Sequence, residues 1–326
     1  MEKKILFSGI QPSGVIHIGN YLGALKQWVE LQKKYSSIFC IVDLHAITVY
    51  QNPQELRKNI LNSAKTLLAL GIDPKKSIIF SQSDIPEHLE LYWILNTITK
   101  VSELELMTQY KDKVAQGKIA NAGLLNYPVL MASDILLYDT NAVPVGEDQI
   151  QHVELARELS RDFNNTYGKN LTEPEALIQK SGARIMGLDN PDKKMSKSAS
   201  SQYNYIALTD SPKTIEDKIK RAVTDSGSEI KYDFKNKPGI SNLITILSLV
   251  TGSDVKKIEA KYKGKNYGVF KKDVADTLIK FLSSFQSKYN KISDTQVKKV
   301  LSDGAKKAKK LASKKIDEVY KKVGLK

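Results

Sequence analysis

Two short segments far apart in the chain hold residue types that bind phosphate. Residues 17–20 read His-Ile-Gly-Asn, after a glycine-containing turn and near the expected start of a helix. Backbone N–H groups at a helix N-terminus attract phosphate, and His17 and Asn20 add side-chain donors. Residues 194–198 read Lys-Met-Ser-Lys-Ser, a polar loop whose two lysines could neutralise a polyphosphate. Together they predict phosphate chemistry by positioning and positive charge. The first segment alone is equally compatible with an ordinary strand-to-helix turn.

One carboxylate lies within an otherwise apolar segment. Pro128 suits the first turn of a helix, and on that helix Tyr127, Met131 and Asp134 share one face. A buried carboxylate is costly unless it accepts hydrogen bonds or pairs with a cation. Asp134 is therefore either a salt bridge or cap to a neighbouring helix, or an acceptor reserved for a substrate N–H.

A second acidic segment follows a short strand-like stretch at residues 143–145. Gly146, Glu147 and Asp148 begin a helix predicted to continue to about residue 163. Acidic residues in a first turn often only compensate the helix dipole. They could equally accept hydrogen bonds from the hydroxyls of a nucleotide ribose. His152, one turn inside the helix, is expected to be structural.

The elements around these segments alternate between strand and helix. Apolar runs at residues 5–7, 37–42 and 77–80 predict strands, and a helix over residues 19–35 joins the first two. Strand, helix and strand of this length form a βαβ unit with a right-handed crossover. Ligands of such sheets bind outside the carboxyl ends of the strands, which is where residues 43–48 follow the second strand.

The amino-acid sequences of several segments indicate a more specific class of protein. Residues 17–20 (HIGN) followed by residues 194–198 (KMSKS) resemble the paired signatures of the class I aminoacyl-tRNA synthetases. SGIQPSGVIHIGNYLGAL, IVDLHAIT, YPVLMASDILLY and VPVGEDQIQH resemble the bacterial tryptophanyl-tRNA synthetase family within that class. With PGISNL at 238–243 and YGVFK at 267–271, the resemblance covers nearly the whole chain.

The resemblance implies an α/β fold: a Rossmann-type doubly wound parallel sheet as the catalytic domain, followed by an all-α C-terminal domain. The expected division is a catalytic domain at 1–205, with a helical insertion at about 50–122, and a basic helical tRNA (anticodon)-binding domain at 206–326. The implied reaction activates L-tryptophan with ATP to tryptophanyl-adenylate, releases pyrophosphate and transfers the aminoacyl group to the 3′ end of tRNA(Trp).

The resemblance also implies the site residues. Asp134 would accept the indole N–H, Tyr127 and Gln149 would hold the amino-acid end, and the backbone of Ile185 would meet adenine. The implied tryptophan site is Phe7, His45, Tyr127, Met131, Asp134 and Gln149. The implied ATP site is Gln11, Pro12, Ser13, Gly19, Asn20, Gly146, Glu147, Asp148, Ile185, Lys194, Met195, Ser196, Lys197 and Ser198. The implied catalytic residues are His17, Asn20, Lys194 and Lys197.

Two positions depart from the class pattern. Asn20 stands where many relatives have a second histidine, which keeps a donor but removes a possible positive charge. The residues after the KMSKS segment, at 199–201, are less acidic than expected, which leaves the partner of the closing loop open.

The net charge and composition limit the kinds of partner that the chain can have. Residues 256–326 hold 21 lysines and 7 acidic residues, which equals the net charge of +14 of all 326 residues. This asymmetry indicates a polyanion, either nucleic acid or an anionic membrane, unless the lysines only solvate helix faces. The apolar runs are too short for a transmembrane helix, and no signal peptide is evident. The single cysteine, Cys40, fits a buried strand and a reducing cytoplasm.

The resemblance further implies a homodimer and Mg²⁺ bound with ATP, with no metal held by the protein and no membrane partner. Three other interpretations stay open: a tyrosyl-tRNA synthetase, a small nucleotidyltransferase, and a non-catalytic RNA-binding paralogue. The GEDQIQH segment and Asp134 favour tryptophan over tyrosine. The basic tail and the KMSKS loop argue against a small nucleotidyltransferase. The presence of His17, Lys194 and Lys197 argues against a protein that has lost catalysis.

Overall fold

The computed structural model describes residues 3–12, 14–115, 121–178, 184–197, 199 and 201–326, apart from the side chains of 112–115. The chain forms two compact units. The sheet unit consists of Met1–Gly14, Gln27–Lys180 and Ser293–Lys326. The helical unit consists of Val15–Lys26 and Ser181–Ile292.

A five-stranded parallel sheet organises the sheet unit. Its strand order is β3-β2-β1-β4-β5, the order of a doubly wound nucleotide-binding sheet, which confirms the predicted fold class. The central strands are buried on both faces, with Phe39 and Cys40 fully inaccessible. The strands are β1 (Ile5–Ile10), β2 (Ser36–Ile41), β3 (Ser77–Ser81), β4 (Ala142–Val145) and β5 (Glu175–Ile178).

The first crossover runs as one continuous helical stretch. It comprises α1 (Ile18–Asn20), a π-helical turn (Tyr21–Leu25) and α2 (Lys26–Lys34). The stretch begins at Ile18, one residue earlier than predicted, because His17 caps it. In the sheet unit, Trp28 of α2 stacks on Phe39 of β2 with ring centroids 5.2 Å apart, which fixes this helix against the sheet.

Among the helices that follow within the sheet unit, α4 has a recognisable cap at each end. Asn52 accepts hydrogen bonds from the backbone of residues 54 and 55, Pro53 occupies the first turn of α4, and Gly71 ends α4 with φ 105°. The helices are α3 (Asp43–Ala46), α4 (Pro53–Leu70), α5 (Glu87–Asn96), α6 (Val101–Glu105), α7 (Thr108–Ala115), α8 (Ala122–Leu136) and α9 (Ile150–Tyr167).

The prediction that Pro128 starts a helix is wrong. Helix α8 begins at Ala122, capped by the Asn121 side chain, which accepts a hydrogen bond from the Leu124 N–H at 2.7 Å. Pro128 lies inside the helix, where it lacks only one backbone donor. The cap was therefore the stronger start signal. Tyr127, Met131 and Asp134 still lie on one helix.

The last helix, α14 (Asp294–Val323), packs on the edge strand β3. A capping box between Ser293 and Gln296 starts it, and Gly324 with φ 82° ends it. Gly304 lies so close to β3 that a Cβ atom there would meet the Ile79 carbonyl oxygen at 1.8 Å. Only glycine permits this approach. Residues 293–326 therefore belong to the same compact unit as the sheet.

The helical unit holds four further helices and the residues of the KMSKS loop. The helices are α10 (Pro212–Arg221), α11 (Pro238–Thr251), α12 (Val255–Tyr262) and α13 (Tyr267–Lys291), with α13 in contact with α10 and α11. Residues 15–26 join this unit through backbone pairing: His17 bridges to Ala207, and Ile18 donates its N–H to the Ile206 carbonyl at 2.9 Å.

These compact units divide the chain differently from the predicted boundary at residue 205. The predicted insertion at 50–122 also contains β3, which pairs with β2 inside the sheet. The assignment of 206–326 to tRNA binding concerns function and stays a prediction. Within the described part of the chain, no helix combines the length and apolar character needed to span a membrane.

Candidate active site

His17 is fixed by the helix that it caps. Its Nδ1 accepts a hydrogen bond from the Asn20 backbone N–H at 3.3 Å, while its own backbone N–H donates to the Asn20 side-chain oxygen at 3.1 Å. This reciprocal pair satisfies two backbone donors at the helix start. Asn20 thus helps to orient His17, a role that the sequence comparison with histidine did not suggest.

The protonation state of His17 follows from this geometry. Burial, together with the positive charges of Lys194 and Lys197, lowers the pKa of His17 from 6.5 to about 4. The imidazole is therefore neutral at pH 7. Because Nδ1 accepts a hydrogen bond, the ring proton resides on Nε2. A neutral donor beside two cations suits an anionic ligand.

The same facts bring the two predicted phosphate-binding segments together inside the helical unit. Lys194 and Lys197 are close enough to His17 to influence its pKa. A Cβ atom at Gly19 would lie 3.0 Å from His17 Nδ1 and 3.5 Å from Met195 Sδ. Glycine at position 19 therefore leaves room for both the imidazole and the KMSKS loop.

The KMSKS loop is held by its backbone and by one buried asparagine. The Met195 N–H donates to the Ile185 carbonyl at 3.0 Å, and the Met195 side chain is buried. Asn204 accepts the Ser196 N–H at 2.8 Å and donates to Asp189 at 2.5 Å. Lys194 is exposed, whereas Lys197 is half-buried and burial lowers its pKa. The predicted residues Ser13 and Ser198 lie outside the described residues.

The segment around Ile185, whose backbone is predicted to contact adenine, is held in place by a residue of α11. Asn242 of α11, which is buried, accepts the Met186 N–H and donates to the Met186 carbonyl, both at 2.9 Å. Its side-chain amide makes the pair of hydrogen bonds that the backbone of a neighbouring strand would otherwise make. Asn204 and Asn242 were not predicted, although Asn242 belongs to the PGISNL segment.

Asp134 in the sheet unit is surrounded by hydrogen-bond donors. His45 Nε2 lies 2.9 Å from Oδ2, His88 Nδ1 lies 2.6 Å from Oδ1, and Gln82 Nε2 lies 2.7 and 2.9 Å from the two oxygens. Burial alone would raise the pKa of Asp134, but its interactions with His45 and His88 lower it to about 2. The carboxylate is therefore ionised at neutral pH, and the contribution of its partners to stability is lost only as the pH falls from 3.8 towards 2.

Only one of these three partners was predicted to lie at the site. His45 was expected to line it, whereas Gln82 and His88 were not identified. Gln82 directly follows β3, at the edge where ligands of parallel sheets bind, which is a signal that the sequence offered. His88 gave no such signal, because a single histidine in an apolar helix is usually a core residue.

The other predicted tryptophan-binding residues lie near this cluster or on the same helix. The Tyr127 ring contacts the His45 ring edge-on at 6.2 Å, and its hydroxyl bonds to His152 Nε2 at 2.8 Å and donates to Gln109 at 3.0 Å. Burial raises the pKa of Tyr127 to about 12 and lowers that of His152 to about 4. Met131 is half-buried against the core.

Phe7 lies in the middle of β1, whereas the predicted ATP-site residues of the sheet unit follow the ends of β1 and β4. Phe7 is buried and stacks on Tyr138 with centroids 5.8 Å apart. Gln11 donates to the His45 carbonyl at 3.2 Å and precedes the buried Pro12. Gly146, Glu147 and Asp148 are exposed after β4, and Gln149 donates to Asp148 at 3.1 Å. The acidic pair is thus accessible to a ligand.

A metal site would need several ligating side chains in one place. Across the described ranges, no group of three or more His, Cys, Asp or Glu side chains is arranged to hold a metal ion.

A doubly wound sheet combined with a histidine-containing helix start and a KMSKS loop defines a class I nucleotide-activating enzyme. The chain belongs to the class I tRNA synthetases for tryptophan and tyrosine (W and Y), whose family model matches residues 1–283. The resemblance inferred from the sequence is thereby confirmed.

Similar proteins agree over the whole length. The chain is 52% identical to the tryptophan–tRNA ligase of Caldanaerobacter subterraneus subsp. tengcongensis, covering 99% of this chain and 98% of the relative. It is 50% identical to that of Bacillus subtilis, covering 99% and 98%. The tryptophanyl-tRNA synthetase structure from Campylobacter jejuni complexed with ADP and tryptophan has a TM-score of 0.86 at 41% identity, covering 98% and 99%. The one from Mycoplasma pneumoniae has a TM-score of 0.90 at 37% identity, covering 99% and 98%.

The low pKa of His17 can be measured directly by NMR titration of its imidazole, with an expected midpoint near pH 4. Replacing both Lys194 and Lys197 with methionine should raise this midpoint but keep it below 6.5, because burial is the larger cause. Since the unfolded chain binds the proton at a higher pH, His17 should reduce stability as the pH falls from 6.5 to 4. Lys193→Met, in the same exposed loop, is the control and should leave the midpoint unchanged. A wild-type midpoint at the ordinary histidine value would contradict the buried neutral imidazole.

Proposed function

We propose that this chain is a tryptophan–tRNA ligase, which activates L-tryptophan with ATP and transfers it to tRNA(Trp). The observation that carries the proposal is the neutral His17 beside Lys194 and Lys197, a donor set built for a polyphosphate. The choice of tryptophan rests on relatives that are about half identical over their full length and bear this name.

The first step forms the adenylate. A carboxylate oxygen of tryptophan attacks the α-phosphorus of ATP, and the bond from that phosphorus to the bridging oxygen breaks, so that pyrophosphate leaves with the electron pair. His17 Nε2–H would donate to a phosphate oxygen, while Lys194 and Lys197 would neutralise the departing pyrophosphate. A polyanion next to Lys197 favours its charged form and so opposes the effect of burial on its pKa.

The second step passes the acyl group to tRNA. A ribose hydroxyl at the tRNA 3′ end attacks the carbonyl carbon of the adenylate, and AMP leaves. The remaining subsites follow the family roles: Gly146, Glu147 and Asp148 for the ribose of ATP, and the Ile185 backbone for adenine. Gln11 and Pro12, with Ser13, would lie at the nucleotide turn.

Asp134 would select tryptophan by accepting its indole N–H. Phe7 and Met131 would form the apolar walls, Tyr127 and Gln149 would hold the amino-acid end, and His45 would line the site. A site that hydrogen-bonds a substrate N–H rejects analogues without it by about 10⁴–10⁵-fold, which needs no editing domain.

Mg²⁺ would arrive with ATP and share the phosphate charge. Pyrophosphate exchange at fixed ATP should then require added Mg²⁺ after chelation, and exchange that persists in excess chelator would contradict this role.

The ligase would function as a homodimer. Four large apolar side chains on α5 and α6 or next to them are exposed: Leu89 (45%), Trp93 (69%), Val101 (60%) and Leu106 (59%). A patch of this kind is typical of a protein interface. Trp93→Glu should convert the dimer to monomers in sedimentation experiments, and a wild-type monomer would refute the proposal.

We also place the ligase in the cytoplasm, where ATP and uncharged tRNA are available, and no membrane partner is proposed. Cell fractionation tests this location, and recovery in the membrane fraction would contradict it.

The tRNA would contact the basic helices. Residues 256–292 hold ten lysines and three acidic residues, and residues 293–326 hold eleven and four, so both units contribute. Lys315 is an exception, because it is buried and paired with Asp139 at 2.8 Å. The assignment of 206–326 to anticodon binding is part of this proposal, since unpaired bases are where RNA is read.

The identity of the amino acid is tested by pyrophosphate exchange with tryptophan, tyrosine and phenylalanine separately, for which only tryptophan should support rapid exchange. Asp134→Ala should lower kcat/KM for tryptophan by about 10²-fold or more, because a charged acceptor is removed. ATP affinity should change little, and the exposed Asp162→Asn should behave as wild type. Equal losses for tryptophan and ATP would show that Asp134 has only a structural role.

The role of the second KMSKS lysine is tested by Lys197→Ala, which should lower kcat for adenylate formation by about 10²–10³-fold, as for the removal of one transition-state donor. Single-turnover kinetics measure this step apart from tRNA charging. Lys193→Ala in the same loop serves as the control. An unchanged single-turnover rate would exclude Lys197 from catalysis.

The tRNA surface is tested by the salt dependence of binding. Replacing Lys306, Lys309 and Lys310 with glutamine should weaken binding and reduce the slope of log K against log salt by about 0.9 for each tRNA phosphate that is no longer neutralised. The exposed Lys58→Gln on α4 should leave the slope unchanged. Binding of wild-type protein that does not depend on salt would contradict an electrostatic tRNA surface.

A further inference from the structure

His88 is one of the two completely buried partners of Asp134. Both residues have almost no exposed surface, at 0% for His88 and 1% for Asp134. His88 Nδ1 lies 2.6 Å from Asp134 Oδ1, and His88 Nε2 lies 2.8 Å from the Tyr138 hydroxyl. Tyr138, His88 and Asp134 thus form a continuous hydrogen-bonded chain within the sheet unit.

The direction of this chain follows from its ends. Asp134 is ionised and can only accept, so the His88 Nδ1 carries a proton. Burial raises the pKa of Tyr138 well above its usual value, so the phenol keeps its proton. Where the ring carries only this proton, Nε2 accepts the Tyr138 O–H, which supports the tautomer with Nδ1–H directed at the carboxylate.

The donors around the carboxylate leave little of it unoccupied. An ionised carboxylate offers about four lone-pair directions. His45 and His88 each occupy one. Gln82 reaches both oxygens from a single nitrogen, and this amide is oriented because its oxygen accepts the Leu44 N–H at 3.1 Å. Each carboxylate oxygen therefore already has two donors, so a further donor would have to take the place of one of them.

The three partners of Asp134 differ in the exposure of their side chains. His88 and Gln82 are completely buried, whereas the His45 side chain retains 11% exposure. His45 is therefore the partner that a ligand could displace most easily, while His88 and Gln82 stay bonded to the carboxylate.

We propose that His88 is a positioning residue for tryptophan selection, which orients the Asp134 carboxylate towards the indole N–H, with Tyr138 fixing the His88 tautomer. This proposal rests on the proposed role of Asp134. His88 acts through Asp134 and does not itself contact the substrate.

The test compares tryptophan with 3-benzothienyl-alanine, in which sulfur replaces the indole N–H at nearly constant shape. The readout is the ratio of kcat/KM for the two substrates in pyrophosphate exchange. The wild type should prefer tryptophan by about 10⁴-fold, because the analogue lacks the N–H that the buried acceptor binds. His88→Leu should reduce this ratio at least about tenfold, by lowering the value for tryptophan more than that for the analogue.

Two further variants separate positioning from general support of the fold. His88→Asn places an amide N–H near the Nδ1 position and should restore much of the ratio, which also covers a leucine variant that fails to fold. Glu87→Gln changes the neighbouring residue of α5, which bonds to Ser313 and not to Asp134, and should leave the ratio unchanged. Tyr138→Phe should lower the ratio less than His88→Leu, since the carboxylate still favours Nδ1–H.

The possible outcomes distinguish the proposed role of Asp134 from the proposed role of His88. A wild-type ratio near 1 would overturn the role of Asp134 and, with it, that of His88. A high wild-type ratio that stays the same in His88→Leu, with both substrates losing activity equally, would overturn the role of His88 alone. Loss of the ratio in His88→Leu and its return in His88→Asn would establish positioning.

Discussion

The ionised carboxylate of Asp134 is the interaction on which the architecture of the sheet unit depends. A buried charge without partners costs several kcal/mol, so the fold must bring donors to it. Those donors come from separate elements: His45 from α3 after β2, Gln82 after β3, and His88 from α5. Satisfying one carboxylate on α8 therefore fixes the carboxyl ends of two neighbouring strands and the start of a helix.

The helical unit also buries an ionisable group at its candidate site, but that group, His17, is neutral. Burial disfavours the charged form of both His17 and Asp134, yet their ionisation differs because their neighbours differ. Asp134 has several donors around it and stays charged, whereas His17 has two lysines nearby and stays neutral. Each state is the one that its proposed ligand requires. Neutral His17 can donate to a phosphate without adding a third positive charge beside the two lysines, and ionised Asp134 can accept an indole N–H.

Local patterns in the sequence predicted the first three strands and singled out residues such as His17 and Asp134 as candidates for the site. Strand β5 was missed, because it is a short, partly exposed edge strand with little apolar alternation. Asn242 and His88 support the site but could not be predicted, because each acts on a residue that is distant in sequence. Asn242 supports Met186 from 56 residues away, and His88 supports Asp134 from 46. Only the folded chain shows such pairs.

For the basic last helix, α14, the distribution of charge and the packing of side chains indicate different domain boundaries. Its lysines suggested a separate RNA-binding domain, yet α14 packs closely on β3 and is bonded to α5. The Ser313 hydroxyl donates to Glu87 at 2.5 Å and the Tyr320 hydroxyl donates to Glu90 at 2.6 Å, across more than 220 residues of sequence. Because Glu87 is adjacent to His88, the helix with the lysines also supports the element that orients Asp134. One face of α14 is therefore constrained by packing and the other remains free to carry positive charge, so a single helix serves both the core and the solvent.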